Sequence, residues 1–269
     1  MKVSWILSIA VLFAAPVRAS EPDERTPLQK LTDESVHWYD LWTGPESATP
    51  AKPVPVLRWD NNARGSSSGL TVLYIADGRP EAVVCIYPWE GRLTHEFGSL
   101  SRGTFIAKRD GETIWTPQTP GVSFAPVPDA DPPADKPVVR QRQIKALARR
   151  FEATLVGWRR DNSDRQELRL LPRPIYEYDS KNSDNVDGAV FAFVMGTDPE
   201  VLLMIEAVKV GDKQQWQYAF ARRTSGELEG RLDGKAVWTA ERYPGTMNPT
   251  GTGFNVRGPR IDDLTGSNP

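Results

Sequence analysis

Apolar and polar positions alternate along the chain in short strand-like runs separated by turns, interrupted once by a helical period. The first series of runs is Val56–Trp59, Leu70–Ala76, Ala82–Tyr87, Thr104–Arg109 and Glu112–Thr116, all of strand length and rich in β-branched or aromatic residues. The second is Leu168–Leu171, Ile175–Tyr178, Ala189–Met195, Val201–Val208, Gln215–Arg222 and Ala236–Thr239. Between them Ile144, Leu147, Ala148, Phe151, Leu155 and Trp158 recur at steps of three and four. That spacing predicts one amphipathic helix over 138–158, with Arg140, Arg142, Lys145, Arg149 and Arg150 on a solvated face. Thr26-Pro27-Leu28 carries a helix-start signal. The prolines of Thr43–Pro55 and Ala125–Pro137 read as extended linkers. The tail, 243–269, has nine glycines and prolines in 27 residues and no apolar period, which predicts a mobile segment.

The two strand series align with each other. Residues 69–86 match 188–205 without gaps at an offset of 119, with Gly69/Gly188, Pro80/Pro199, Glu81/Glu200 and Ile86/Ile205 identical. Asp110-Gly-Glu-Thr-Ile-Trp-Thr116 matches Asp233-Gly-Lys-Ala-Val-Trp-Thr239 at an offset of 123. Two blocks in one order, with shared Pro-Glu and Asp-Gly turns, read as an internal duplication. Asp-Gly favours two-residue hairpin loops, because both central residues take positive φ. Such short connections make antiparallel neighbours.

The N-terminus changes the compartment expected. Lys2, the apolar stretch Trp5–Ala15 and Val17-Arg18-Ala19 together read as a signal peptide ending at residue 19, too short to span a bilayer. Its removal leaves 31 basic against 35 acidic side chains. That balance offers no footprint for nucleic acid. Two histidines and one cysteine, Cys85, supply no standard zinc site. Cys85 lies in an apolar run and reads as a buried, inert thiol.

Candidate chemistry is sparse. Gly65-Ser66-Ser67-Ser68-Gly69 matches a nucleophile-elbow pattern, but a strand follows it where a helix is required. Asp179–Asp187 is rich in oxygen ligands without EF-hand spacing and reads as a polar loop. Glu81 and Glu200 are explained by their place after a turn proline rather than as a glycosidase pair. His95 beside Glu96 reads as an exposed strand-end histidine, since neighbours on a strand face opposite ways. Trp115 and Trp238, equivalent in the alignment, are assigned to the core with Trp158; Trp89 is the best exposed aromatic. Trp89 and His95 are therefore the candidate binding residues.

Several strings carry a resemblance. They are Leu57-Arg58-Trp59 with Asp77-Gly-Arg-Pro-Glu81, then Glu167-Leu-Arg-Leu-Leu-Pro-Arg-Pro-Ile-Tyr-Glu-Tyr178 and Asp187-Gly-Ala-Val-Phe-Ala-Phe-Val-Met-Gly-Thr-Asp-Pro-Glu200. Over roughly residues 56–240 the chain resembles a paralogous family of uncharacterised exported bacterial proteins. The resemblance implies no activity and no catalytic residue.

The fold class expected is α+β, with two related antiparallel β-sheet units joined by a proline-rich linker and the single helix. The expected map is a signal peptide (1–19), an N-terminal segment and linker (20–55) and a first β unit (56–124). A linker (125–137), the helix (138–158), a second β unit (159–242) and the mobile tail (243–269) follow. The function expected is that of an exported, non-enzymatic binding or envelope-associated protein, with an extracytoplasmic hydrolase as the alternative. It is expected to use no metal or cofactor, to have no transmembrane anchor, and to have envelope components or another protein as partners.

Overall fold

Residues 25–43, 50–61, 66–157, 164–179, 185–242 and 248–265 are described in the computed structural model of the chain. The expected signal peptide, Trp158, Gly65 and most of the 179–187 loop lie outside them. Helix α1 (Pro27–Ser35) starts where Thr26 and Gln29 cap each other, Gln29 N donating to Thr26 Oγ1 at 3.2 Å and Thr26 N to Gln29 Oε1 at 2.9 Å. Strands β1 (Asp40–Trp42), β2 (Lys52–Asn61), β3 (Ser66–Ala76), β4 (Arg79–Trp89), β5 (Arg92–Ser99), β6 (Ile106–Arg109), β7 (Glu112–Trp115) and β8 (Ala125–Pro126) follow. Helix α2 (Pro137–Ala148) leads into β9 (Phe151–Val156), β10 (Arg165–Leu170), β11 (Tyr176–Tyr178), β12 (Asn185–Met195) and β13 (Asp198–Val210). The chain continues through β14 (Lys213–Arg222), β15 (Glu227–Leu232), β16 (Lys235–Ala240), β17 (Gly253–Arg260) and α3 (Ile261–Thr265).

All pairings are antiparallel. One sheet runs β17-β5-β4-β3-β2, a second β1-β6-β7, and a third β16-β15-β9-β10-β12-β13-β14-β8, with β11 also on β12. The third sheet is a continuous half-barrel. In the first half the residue before β2 is joined to β1 by the bond from Ala51 N to Leu41 O at 2.7 Å.

Three apolar clusters hold these layers together. Leu31, Leu41, Val72, Val84, Ile86, Phe97 and Trp115 fill the first, between α1, the small sheet and the five-stranded sheet. Ile144, Phe151, Phe193, Leu203, Ile205 and Phe220 fill the corresponding cluster beneath α2. The third lies between the two large sheets, where Leu73 and Val83 meet Val190, Leu202 and Met204. Alternate residues of β4 and β13 thus enter different cores, and both faces are dry. Sheets buried on both sides read as unbroken apolar runs, which is why these two strands show no polar alternation.

The pairing register recurs between the halves. Adding 119 carries the β3–β4 pairs, from Leu70↔Ile86 to Ala76↔Arg79, onto the β12–β13 pairs Ala189↔Ile205 to Met195↔Asp198, bulge included. The same offset carries Trp59↔Gly69 onto Tyr178↔Gly188. In both pairs a Cβ on the glycine would overlap the facing ring. The β13–β14 hairpin then runs two pairs further than β4–β5, through Lys209↔Gln214 and Val210↔Lys213. Those four added residues turn the offset into 123, which carries Ala107↔Trp115 onto Gly230↔Trp238. Asp110-Gly111 and Asp233-Gly234 take positive φ at both residues, as the hairpin turn requires. Strand β1 lies on β6 as β9 lies on β15, Leu41↔Ala107 corresponding to Ala153↔Gly230. The halves also trade strands: β8 pairs with β14 through Ala125↔Tyr218, and β17 pairs with β5 at the corresponding Val256↔His95.

Three expectations are corrected. The helix expected over 138–158 ends at Ala148, and Phe151–Val156 is strand β9. Phe151 and Leu155 fit the helical step of four and, with Ala153 between them, a two-residue period as well, and Thr154 and Val156 add β-branched bulk that suits a sheet. The tail expected to be mobile contributes β17 and α3, because the first sheet needs an edge beside β5. The linker at 43–55 gives its last residues to β2, whose edge position tolerates Pro53 and Pro55.

Candidate functional site

The two residues chosen from sequence do not form one site. Trp89 is 45% exposed at the end of the β4–β5 hairpin, beside the Glu90-Gly91 turn. His95 is fully buried, which overturns its reading as an exposed strand-end residue. Strand β5 is interior to its sheet, and the chain after α1 covers its face. Tyr39 Oη lies 2.5 Å from His95 Nδ1, and Trp38 stacks on the imidazole at a centroid distance of 5.3 Å. Burial, with the nearby Arg109 charge, drives the His95 pKa down to about 3. A neutral imidazole sealed by aromatic rings has no access to a substrate. Cys85 is buried too, hydrogen-bonded to Thr71 across 3.5 Å, and burial raises its pKa. Among the described residues no group of three or more His, Cys, Asp or Glu side chains is placed to hold a metal ion.

A charged cluster lies between the two large sheets. The fully buried carboxylate of Glu206 accepts from Arg79 Nε at 2.9 Å, Tyr178 Oη at 2.7 Å and Gln217 Nε2 at 2.9 Å, and also from Arg102. Arg79 also donates to Glu81 at 2.9 Å and to Leu100 O at 3.2 Å. Burial opposes the charge on Arg79, but Glu206 and Glu81 outweigh it and its pKa is raised. Burial, with the Glu206 charge second, raises that of Tyr178. Two guanidinium and two carboxylate groups balance here, so the cluster reads as a clamp between the halves. Glu81 is part of it. Glu200, its counterpart at an offset of 119, is buried and accepts at its main-chain oxygen from Arg223 N, as Glu81 does from Leu100 N.

The aromatic pair Phe97–Trp115 recurs as Phe220–Trp238, with ring centroids 5.4 and 5.3 Å apart. Their surroundings differ. Trp115 is fully buried, and the chain's own C-terminal segment closes over it. Trp115 Nε1 donates to Gly251 O at 2.8 Å, Thr116 N to Pro249 O at 2.7 Å and Gln118 N to Thr250 O at 3.0 Å. Trp238 is only half-buried, so its assignment to the core holds only in part. With Phe220, Phe124, Arg102 and the Pro120–Ser123 backbone it lines an open groove of about 600 Å³. The Arg102 guanidinium stands 4.4 Å over the Phe124 ring.

A second pair of grooves lies between helix and sheet. One, about 120 Å³, is lined by Leu28, Gln29 and Thr32 of α1 with Arg58, Trp59 and Gly69. The other, about 460 Å³, is lined by Arg140, Gln141 and Ile144 of α2 with Glu177, Tyr178 and Gly188 at corresponding positions. Each is flanked by an ion pair of opposite sense, Asp33–Arg58 in the first half and Lys145–Glu177 in the second. The groove over Trp238 is the more apolar candidate. Sequence reasoning missed it, although the offset equating Trp115 with Trp238 was a signal to compare their surroundings.

These features define a mostly antiparallel β protein with an open aromatic groove. Comparison with protein-family models, curated proteins and solved structures finds no match to the chain. No helix among the described residues is long and apolar enough to cross a membrane.

Proposed function

We propose that the protein is an exported, non-enzymatic binding protein, made by duplication of one α+β unit of antiparallel sheet, whose partner occupies the groove over Trp238. The observation that carries this is the contrast between Trp115, sealed by the chain itself, and its counterpart Trp238, which lines a groove of about 600 Å³. That size suits a bound ligand segment, and exposed aromatics favour recognition. The lining offers the Ser123 hydroxyl but no histidine, carboxylate or thiol to activate it, which favours binding over the hydrolase alternative. The shared register and the charge-swapped pairs Asp33–Arg58 and Lys145–Glu177 support the duplication. The exported location and the kinship to the paralogous bacterial family belong to the same proposal, as does a partner among envelope components or other proteins.

A photo-crosslinking phenylalanine analogue at Ser123, an exposed groove residue, tests the reading in the native envelope. The expected result is a discrete adduct that disappears when Trp238→Ala is added. An adduct indifferent to Trp238→Ala, or hydrolytic turnover abolished by Ser123→Ala, would contradict it.

A further inference from the structure

We propose that the groove over Trp238 seats a turn-forming peptide segment of a partner protein, a main-chain carbonyl accepting from the Trp238 indole N–H. This rests on the reading of that groove as the binding site and names its ligand class.

The argument comes from the first half, where the corresponding seat is already filled. There the occupant is a turn, Asn248–Gly251, closed by Gly251 N donating to Asn248 O at 3.1 Å and held through the oxygens of Pro249, Thr250 and Gly251. Its side chains are small, and the residue over the indole is a glycine. Recognition through the main-chain carbonyls of a turn selects a backbone conformation rather than a particular side chain.

Strand pairing sets the equivalence in the second half. Tyr218↔Ala125 corresponds to His95↔Val256, so Pro120 stands where Gly251 stands in the first half. Pro120 and Trp238 both line the open groove, whereas Gly251 O accepts directly from the Trp115 indole N–H. The second seat has therefore been opened by the retreat of the segment that would close it. Trp238 keeps its ring against Phe220, so the indole is held in place without an occupant. Strand β16, which carries it, is at the edge of its sheet, where an added segment meets unpaired main chain. Arg102 is matched by Glu206, so the groove imposes no net charge on its ligand.

The probe is a synthetic peptide with the sequence Asn248–Gly253, titrated into the whole protein with its tryptophan indoles labelled for NMR. The expected result is a saturable shift of the Trp238 indole resonance while that of Trp115 stays fixed. Trp238→Phe, which keeps a ring and loses the donor, should weaken binding about two- to tenfold by calorimetry. Trp238→Ala should abolish it. An unmoved Trp238 at millimolar peptide, a shift confined to Trp115, or unchanged affinity in Trp238→Phe would overturn the proposal. If the peptide fails while the Ser123 adduct still requires Trp238, the ligand is not a turn-forming peptide and the groove reading stands. If the adduct fails as well, both fall.

Discussion

The two halves of this chain place one aromatic pair in two environments. Phe97–Trp115 lies under the C-terminal segment, and Phe220–Trp238 lies under open solvent on one side. The strands beneath are paired in the same register, so the sheets are not the source of the difference. The source is what crosses them. Residues 249–252 close over Trp115, while Pro120–Phe124 stands away from Trp238. The same pairing register thus underlies one filled seat and one open seat, and the proposed function rests on the open one.

Removing residues 248–269 should be the most damaging change that sharpens this comparison. It strips β17 from β5 and uncovers Trp115, so denaturant melts should lose a large share of the ~5–15 kcal/mol typical of a domain. Trp115→Ala should come next, at ~3–5 kcal/mol, because it leaves a cavity in a fully buried site. Arg79→Met should cost a similar ~3–5 kcal/mol, since it leaves the buried Glu206 carboxylate without its main partner. Trp238→Ala should cost clearly less than Trp115→Ala, because its ring is only partly buried. Equal losses at the two tryptophans would break the comparison.

A pH dependence in the first half comes last, because it builds up only over several pH units. His95 titrates at about 3 in the folded protein and near 6.5 when unfolded. Between those values the unfolded chain binds the extra proton, so stability contributed by neutral His95 is present above pH 6.5 and lost as pH falls toward 3. The slope is at most ~1.4 kcal/mol per pH unit. Melts of wild type and His95→Gln from pH 7 to 4 should diverge on the acid side. Parallel curves would show that His95 is not held neutral. The second half has Tyr218 at the corresponding position and carries no such term.

Much of the sheet framework was legible in the sequence, because β3, β4, β12 and β13 are buried on both faces and leave unbroken apolar runs. Strands β5 and β15 were not legible. Arg92-Leu-Thr-His-Glu-Phe-Gly-Ser99 and Glu227-Leu-Glu-Gly-Arg-Leu232 carry polar groups that tertiary partners satisfy, such as Tyr39 at His95 and Arg165 at Glu229. The run from Ile144 to Leu155 served two periods at once, and only the turn at Arg149–Arg150 separates helix from strand. The tail looked mobile because Gly and Pro dominate it, yet its strand answers an edge created more than 150 residues earlier in the chain. The site was hidden for the same reason. Trp115 and Trp238 sit in matching local sequence, and their difference lies in segments distant along the chain.

Hydrogen exchange at the two indole N–H groups, followed by NMR on the intact protein, tests the filled-and-open account most directly. Trp115 donates to Gly251 O beneath the tail, so its indole proton should be strongly protected and should exchange only on opening of the first half. The Trp238 indole proton should exchange rapidly under the same conditions. Comparable protection at both positions, or slower exchange at Trp238, would contradict the account.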